Sequence, residues 1–178
     1  YLMAMRLLAG IPLAVETSFG SQGLDGGAPE VMALLSTIAL VVLVVAIAFT
    51  VMRLLATQPP AADSAIFVAG IAATSLSLLV AGKVLSPQFL VWILPSVLLV
   101  RGRYGWASTW IAVAALLLTQ AYFPIRYWEL VALQPAEMGI LIARDAVLIC
   151  LLAAAWPRRQ VEAPLRDVAV KQARTGRR

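Results

Sequence analysis

The 178 residues are 62% hydrophobic and 13% charged, with a mean hydropathy of +0.90, far too apolar for a soluble domain of this length. With no histidine and one cysteine, the chain cannot build a His/Cys metal cluster, a Ser-His-Asp triad or a disulfide framework from its own residues. About five or six membrane segments use up nearly all of its length, which predicts an all-α, polytopic transmembrane helix bundle over 1–156 and a basic, disordered cytoplasmic tail over 157–178.

In chain order, Tyr1 to Val15 reads as the tail of a membrane helix loosened by Gly10 and Pro12. The chain opens on Tyr1 rather than methionine, and the expectation is the C-terminal part of a larger membrane protein. Glu16 to Gly27 is rich in glycine and small polar residues and is expected to be a surface loop, with Glu16 as a solvated carboxylate or a binding one. Val31 to Met52 is an uninterrupted apolar run of 22 residues, long enough to span with some tilt. Arg53 and the segment Gln58-Pro59-Pro60-Ala61-Ala62-Asp63 form a connector too polar and proline-rich to continue it. Ala65 to Gly82 is a second span, whose Thr74, Ser75 and Ser77 predict back-bonding and close packing.

The next apolar run is broken by Lys83, Ser86, Pro87 and Gln88. Ser86 reads as an N-cap and Pro87 as the first helical residue, where a missing N–H costs nothing. From Pro87 to Val100 a helix rises only about 21 Å, less than the roughly 30 Å hydrocarbon core, so its N-terminus is expected below the membrane surface. Free N–H groups, the positive helix end, the Lys83 charge and the Gln88 amide together make an anion site. The competing reading is a tight interhelical turn with Lys83 snorkelling to lipid headgroups. Pro95 frees a carbonyl within this helix and invites a kink.

Gly105 to Tyr122 is a further span, entered through Arg101, Arg103 and Tyr104 and closed by Pro124. Between it and the last span, Ile125, Trp128 and Val131 recur at helical spacing while Arg126 and Glu129 share another face, the pattern of a short interfacial helix. Glu137 to Trp156 is the last span. Arg144 and Asp145 lie about two turns into it, where each ionised group costs about 3 kcal/mol unless it faces protein or water. They are therefore expected to point inward as structural intramembrane charges. Because neighbours lie about 100° apart around a helix, they are not expected to pair ideally with each other, and at least one should find a partner on another helix. Cys150 is expected to be a small apolar filler.

From Pro157 onward seven basic side chains face two acidic ones, a net of +5 that equals the charge of the whole chain. The positive-inside rule puts this tail in the cytoplasm. Counting back through the spans, Arg53, Arg101 and Arg103 also fall inside, whereas Lys83, Arg126 and the Glu16 to Glu30 loop fall outside. Tyr104, Trp106 and Trp156 are expected at the inner interface, and Tyr122, Tyr127 and Trp128 at the outer one. The tail lacks interleaved aromatic residues and follows a membrane span, so anionic lipids rather than nucleic acid are its expected partner.

The run Gly82-Lys83-Val84-Leu85-Ser86-Pro87-Gln88-Phe89-Leu90-Val91-Trp92-Ile93-Leu94-Pro95 resembles the K-x-x-S-P-Q-[YF]-L-x-W-x-x-P signature of glycosyltransferase family 87. These are membrane enzymes of the GT-C class that use polyprenol-phosphate mannose. Glu16-Thr17-Ser18 matches the end of that family's R-G-x-Q-x-E-S loop, whereas Ile11 to Ala14 depart from its basic and glutamine positions. Phe123-Pro124 and Arg144-Asp145 match its late "Y/F-P" loop and R-D pair loosely. The resemblance implies transfer of mannose or a related hexose from a polyprenyl-phosphate carrier to an outer-face acceptor. It implies no cofactor, the lipid-linked sugar being a substrate, and membrane lipids as partners. Lys83, Ser86 and Gln88 would hold the carrier phosphate, Arg126 would be a second cation, and Glu16 would contact the acceptor. The family's acidic base is expected upstream of these residues, so this segment by itself is expected to be inactive. The alternatives are half of a transporter or flippase, with a mid-membrane site at the Ser86-Pro87 break, and a structural membrane subunit. A transporter predicts an inverted repeat, and no second S-P-Q-like break occurs.

Overall fold

The computed structural model describes residues 6–7, 10, 14–18, 21–25, 27–82 and 88–159. Two strands, β1 (Ala14–Ser18) and β2 (Ser21–Asp25), pair antiparallel in the register Ala14↔Asp25 to Ser18↔Ser21. This hairpin corrects the expected helix end at Ala14 and Val15 and the expected loop from Glu16. β-branched Val15 and Thr17 favour extended backbone, and two residues separate the strands, the spacing of a tight hairpin.

Helix α1 (Gly27–Thr57) is longer than its apolar core. Pro29 and Glu30 suit a helical first turn, and the helix continues through Arg53 before Pro59 stops it. A 3-10 turn, Pro60–Ala62, leads into α2 (Asp63–Ala81). α3 spans Gln88–Leu98, eleven residues with Pro95 inside, and ends two residues before the expected Val100; the expected start at Pro87 lies outside the described residues. α4 covers Gly102–Tyr122, α5 is the five-residue helix Tyr127–Val131, and α6 runs over Pro135–Ala155, opening on a proline where its missing N–H is harmless.

Among the described residues, three helical segments are long and apolar enough to cross a membrane: Pro29–Thr57, Pro60–Ala81 and Pro135–Ala155. The polytopic helical character therefore stands, with fewer qualifying spans than expected. α3 is too short, and α4, though 21 residues long, is diluted by Trp106, Ser108, Thr109, Trp110, Thr119 and Gln120.

α4 packs most extensively on α6, α2 packs on α1, α3 and α6, and α3 also meets α4. α1 and α2 run antiparallel, with Leu54 clustered with Ile66 and Val51 beside Gly70, and α4 and α6 do the same, with Tyr122 beside Arg144 and Tyr104 beside Arg158. The C-terminal end of α4 therefore shares one end of the bundle with the N-terminal end of α6. At the opposite end the Arg158 guanidinium lies 4.3 Å from the Tyr104 ring centroid and donates to the carbonyls of Ala153 and Ala154, satisfying the C-terminus of α6.

In lipid, hydrocarbon offers helices no hydrophobic gain on association, so close fit has to hold them together. The buried face of α2 is accordingly made of Ala69, Gly70, Ala72, Ala73, Ser77 and Ala81 alongside Ile66, Leu76 and Leu79. A Cβ on Gly70 would lie 2.8 Å from Val51 Cγ2, so α1 and α2 touch where only glycine fits. Leu90, Ile93 and Val97 of α3 and Leu148, Leu151 and Ala155 of α6 complete the core.

Candidate functional site at the α4–α5–α6 end

Lys83 and Ser86 lie outside the described residues. Gln88, the first described residue of α3, is exposed. The backbone of Glu16 stands opposite Gly23 in the hairpin. Arg126, at the start of α5, is half-exposed and faces two carboxylates: Nη1 donates to Glu137 Oε1 at 3.4 Å, and Nε lies 3.9 Å from Glu129 Oε2. The shared face of Arg126 and Glu129 is the one their spacing predicts, and a pair this exposed contributes about 1 kcal/mol or less.

Glu137 was not singled out by sequence reasoning. Its side chain is 3% exposed, in the first turn of α6 where the helix dipole favours a carboxylate. Arg126 holds one oxygen, while Oε2 is buried with no hydrogen-bond partner. A buried carboxylate oxygen left unpaired is uncommon and calls for a reason. The signal that could have found it is its spacing of seven from Arg144, which puts both on one helical face.

Arg144, 2% exposed, donates from Nη1 to the Tyr122 hydroxyl oxygen at 2.7 Å, with its guanidinium 5.7 Å from that ring's centroid. Nε and Nη2 also donate to Asp145 Oδ1 at 3.0 and 2.7 Å. The partner on another helix is thus Tyr122. The neighbours nevertheless pair, because the long arginine stem lets two nitrogens converge on one oxygen rather than forming the two parallel bonds of an ideal fork. Tyr122, expected at the outer interface, is instead 3% exposed and committed to Arg144. Trp128, by contrast, is 69% exposed.

Comparison with known protein families, with curated proteins and with solved structures finds no match.

A small apolar cluster of Tyr122, Leu130 and Met138, flanked by Phe123 and Leu133, binds α5 to the ends of α4 and α6. Leu133 closes it with φ of 57°, a left-handed conformation that costs a non-glycine residue about 1–2 kcal/mol and that its packing holds in place. Arg126 and Glu137 thus lie beside Tyr122, which carries Arg144 and Asp145 behind it. No described hydrogen bond or ion pair joins Gln88 to Arg126. Among the described residues no three His, Cys, Asp or Glu side chains gather where they could hold a metal ion. What the cluster offers is a half-exposed cation beside a buried acceptor oxygen, a combination suited to a ligand carrying both negative charge and a hydroxyl.

Proposed function

We propose that this chain forms the membrane part of a GT-C-type glycosyltransferase that moves mannose or a related hexose from a polyprenyl-phosphate carrier to a lipid or glycan acceptor on the outer face. The observation that carries this reading is the Lys83 to Pro95 run, which interrupts the apolar sequence and leads into an eleven-residue helix opening on exposed Gln88. In the reaction the acceptor oxygen bonds to the sugar C1 as the C1–O bond to phosphate breaks. The electron pair leaves with the carrier phosphate, and a base takes the acceptor proton. The developing phosphate charge needs fixed positive groups. Lys83, the start of α3 and Arg126 would supply them. The +5 tail supports placing the Arg126 end outside.

The test is transfer of labelled mannose from polyprenyl-phosphate mannose in membranes holding the full-length parent protein. Wild type should transfer, and Lys83→Ala and Gln88→Ala should each lower the rate by about tenfold or more at equal protein level. Full activity in both variants would reduce the motif to an interhelical turn. Absence of transfer from several lipid-linked sugars, with uptake or flipping of a lipid instead, would replace the reading with a transporter.

A further inference from the structure

Glu137 has a division of labour that ion pairing alone leaves unexplained. One carboxylate oxygen is tied to Arg126 at 3.4 Å, and the other is buried without a partner. Arg126 is itself half-exposed, so its remaining donors are open to a ligand. The two groups present, side by side, a donor for an anionic oxygen and an acceptor for a hydroxyl.

We infer that Arg126 and Glu137 together bind the head of a hexosyl phosphate, Arg126 taking a phosphate oxygen and Glu137 Oε2 accepting from a sugar hydroxyl. This rests on the proposed glycosyl transfer and adds a sugar-recognising residue to it. The chemistry fits because phosphate and ring hydroxyls of a glycosyl phosphate lie within a few ångströms of each other, as the two protein groups do. The Arg126 contact on Glu137 is suited to movement. α5 has only five residues, too few to be stable without its contacts, and its ion pairs, at 3.4 and 3.9 Å, are long. A phosphate that draws Arg126 outward would loosen its hold on Oε1 and free the Glu137 carboxylate to turn and accept from the sugar hydroxyl.

The experiment compares equilibrium binding of polyprenyl phosphate and polyprenyl-phosphate mannose to the full chain in lipid nanodiscs. Wild type should bind the mannosylated carrier about tenfold or more tightly over the bare one, the worth of one hydrogen bond to a charged acceptor. Glu137→Gln should bring that ratio close to one while bare-carrier affinity holds, because Arg126 keeps the amide oxygen and turns the amide nitrogen toward the sugar. Glu137→Met, which removes both oxygens, should do the same and covers the case in which the amide still serves the hydroxyl. Arg126→Gln should weaken both ligands alike. Preference for the mannosylated carrier that survives in both Glu137 variants, or wild type that binds the two carriers equally, overturns the inference alone. Wild type that binds neither carrier overturns the glycosyltransferase reading beneath it.

Discussion

Arg144 is the side chain the bundle can least do without. It is 2% exposed and donates to both Tyr122 and the partly exposed Asp145, so truncating it strands a buried hydroxyl and leaves a carboxylate unpaired. Breaking a fully buried pair from one side costs about 3–5 kcal/mol, an upper bound for a pair whose aspartate is 31% exposed. Arg144→Met should therefore lower the thermal midpoint of the detergent-solubilised protein sharply. Tyr122→Phe, which removes one acceptor for a charged donor, should cost a smaller amount, about 1.5–3 kcal/mol. Equal midpoints for wild type and Arg144→Met would show that the network contributes nothing. The charges were legible in the sequence because two ionisable residues in an apolar helix must face something polar. Tyr122 was not, because nothing in a single sequence couples positions 22 residues apart, and an aromatic near a span end reads by default as an interfacial anchor. Glu137 escaped for a similar reason: a glutamate in the first turn of a helix is ordinary dipole chemistry, and only its burial makes it unusual.

At the scale of elements, the contact between α1 and α2 rests on shape. Gly70 allows Val51 to approach where a Cβ would stand 2.8 Å from Cγ2. Gly70→Leu should overpack this crossing and cost about 1–3 kcal/mol, and Val51→Ala in the same chain should recover part of it. If the two changes simply add, as independent sites do, the contact is not where the structure has it. Gly105 has the same role at the entry to α4, where any side chain would run into the Val100 backbone carbonyl. Helix existence was plain from apolar runs bounded by proline and charge, and so was the shortness of α3. Boundaries were less so. α1 extends from Gly27 to Thr57 and α6 starts at Pro135, because prolines in a first turn are tolerated and an arginine near a membrane boundary need not end a helix. The hairpin was missed because its strands are only five residues each and lie in a stretch, Glu16 to Gly27, whose four glycines and two serines read as a loop.

For the whole molecule, the segregation of polar groups matters more than any one of them. One end carries the Tyr104–Arg158 contact, and the other carries Arg126, Glu129, Glu137 and the exposed Ile125 and Trp128. Much of α1 is bare apolar surface, including Leu34, Val41, Val45, Phe49 and Met52, which in water would drive aggregation and in a bilayer simply meets lipid. Composition alone announced this environment. The arrangement of the α4–α5–α6 end did not follow from composition, because a five-residue helix and a left-handed leucine depend on packing that no periodicity encodes.

The claim on which the rest depends is that this end faces outward. Replacing Cys150 with serine leaves no thiol elsewhere in the chain, so single cysteines can then report on each end. In sealed cells or right-side-out vesicles, Ile125→Cys should react with a membrane-impermeant maleimide at once, and Arg159→Cys only after permeabilisation. The reverse pattern would put Arg126 and Glu137 in the cytoplasm and contradict an outer-face transferase.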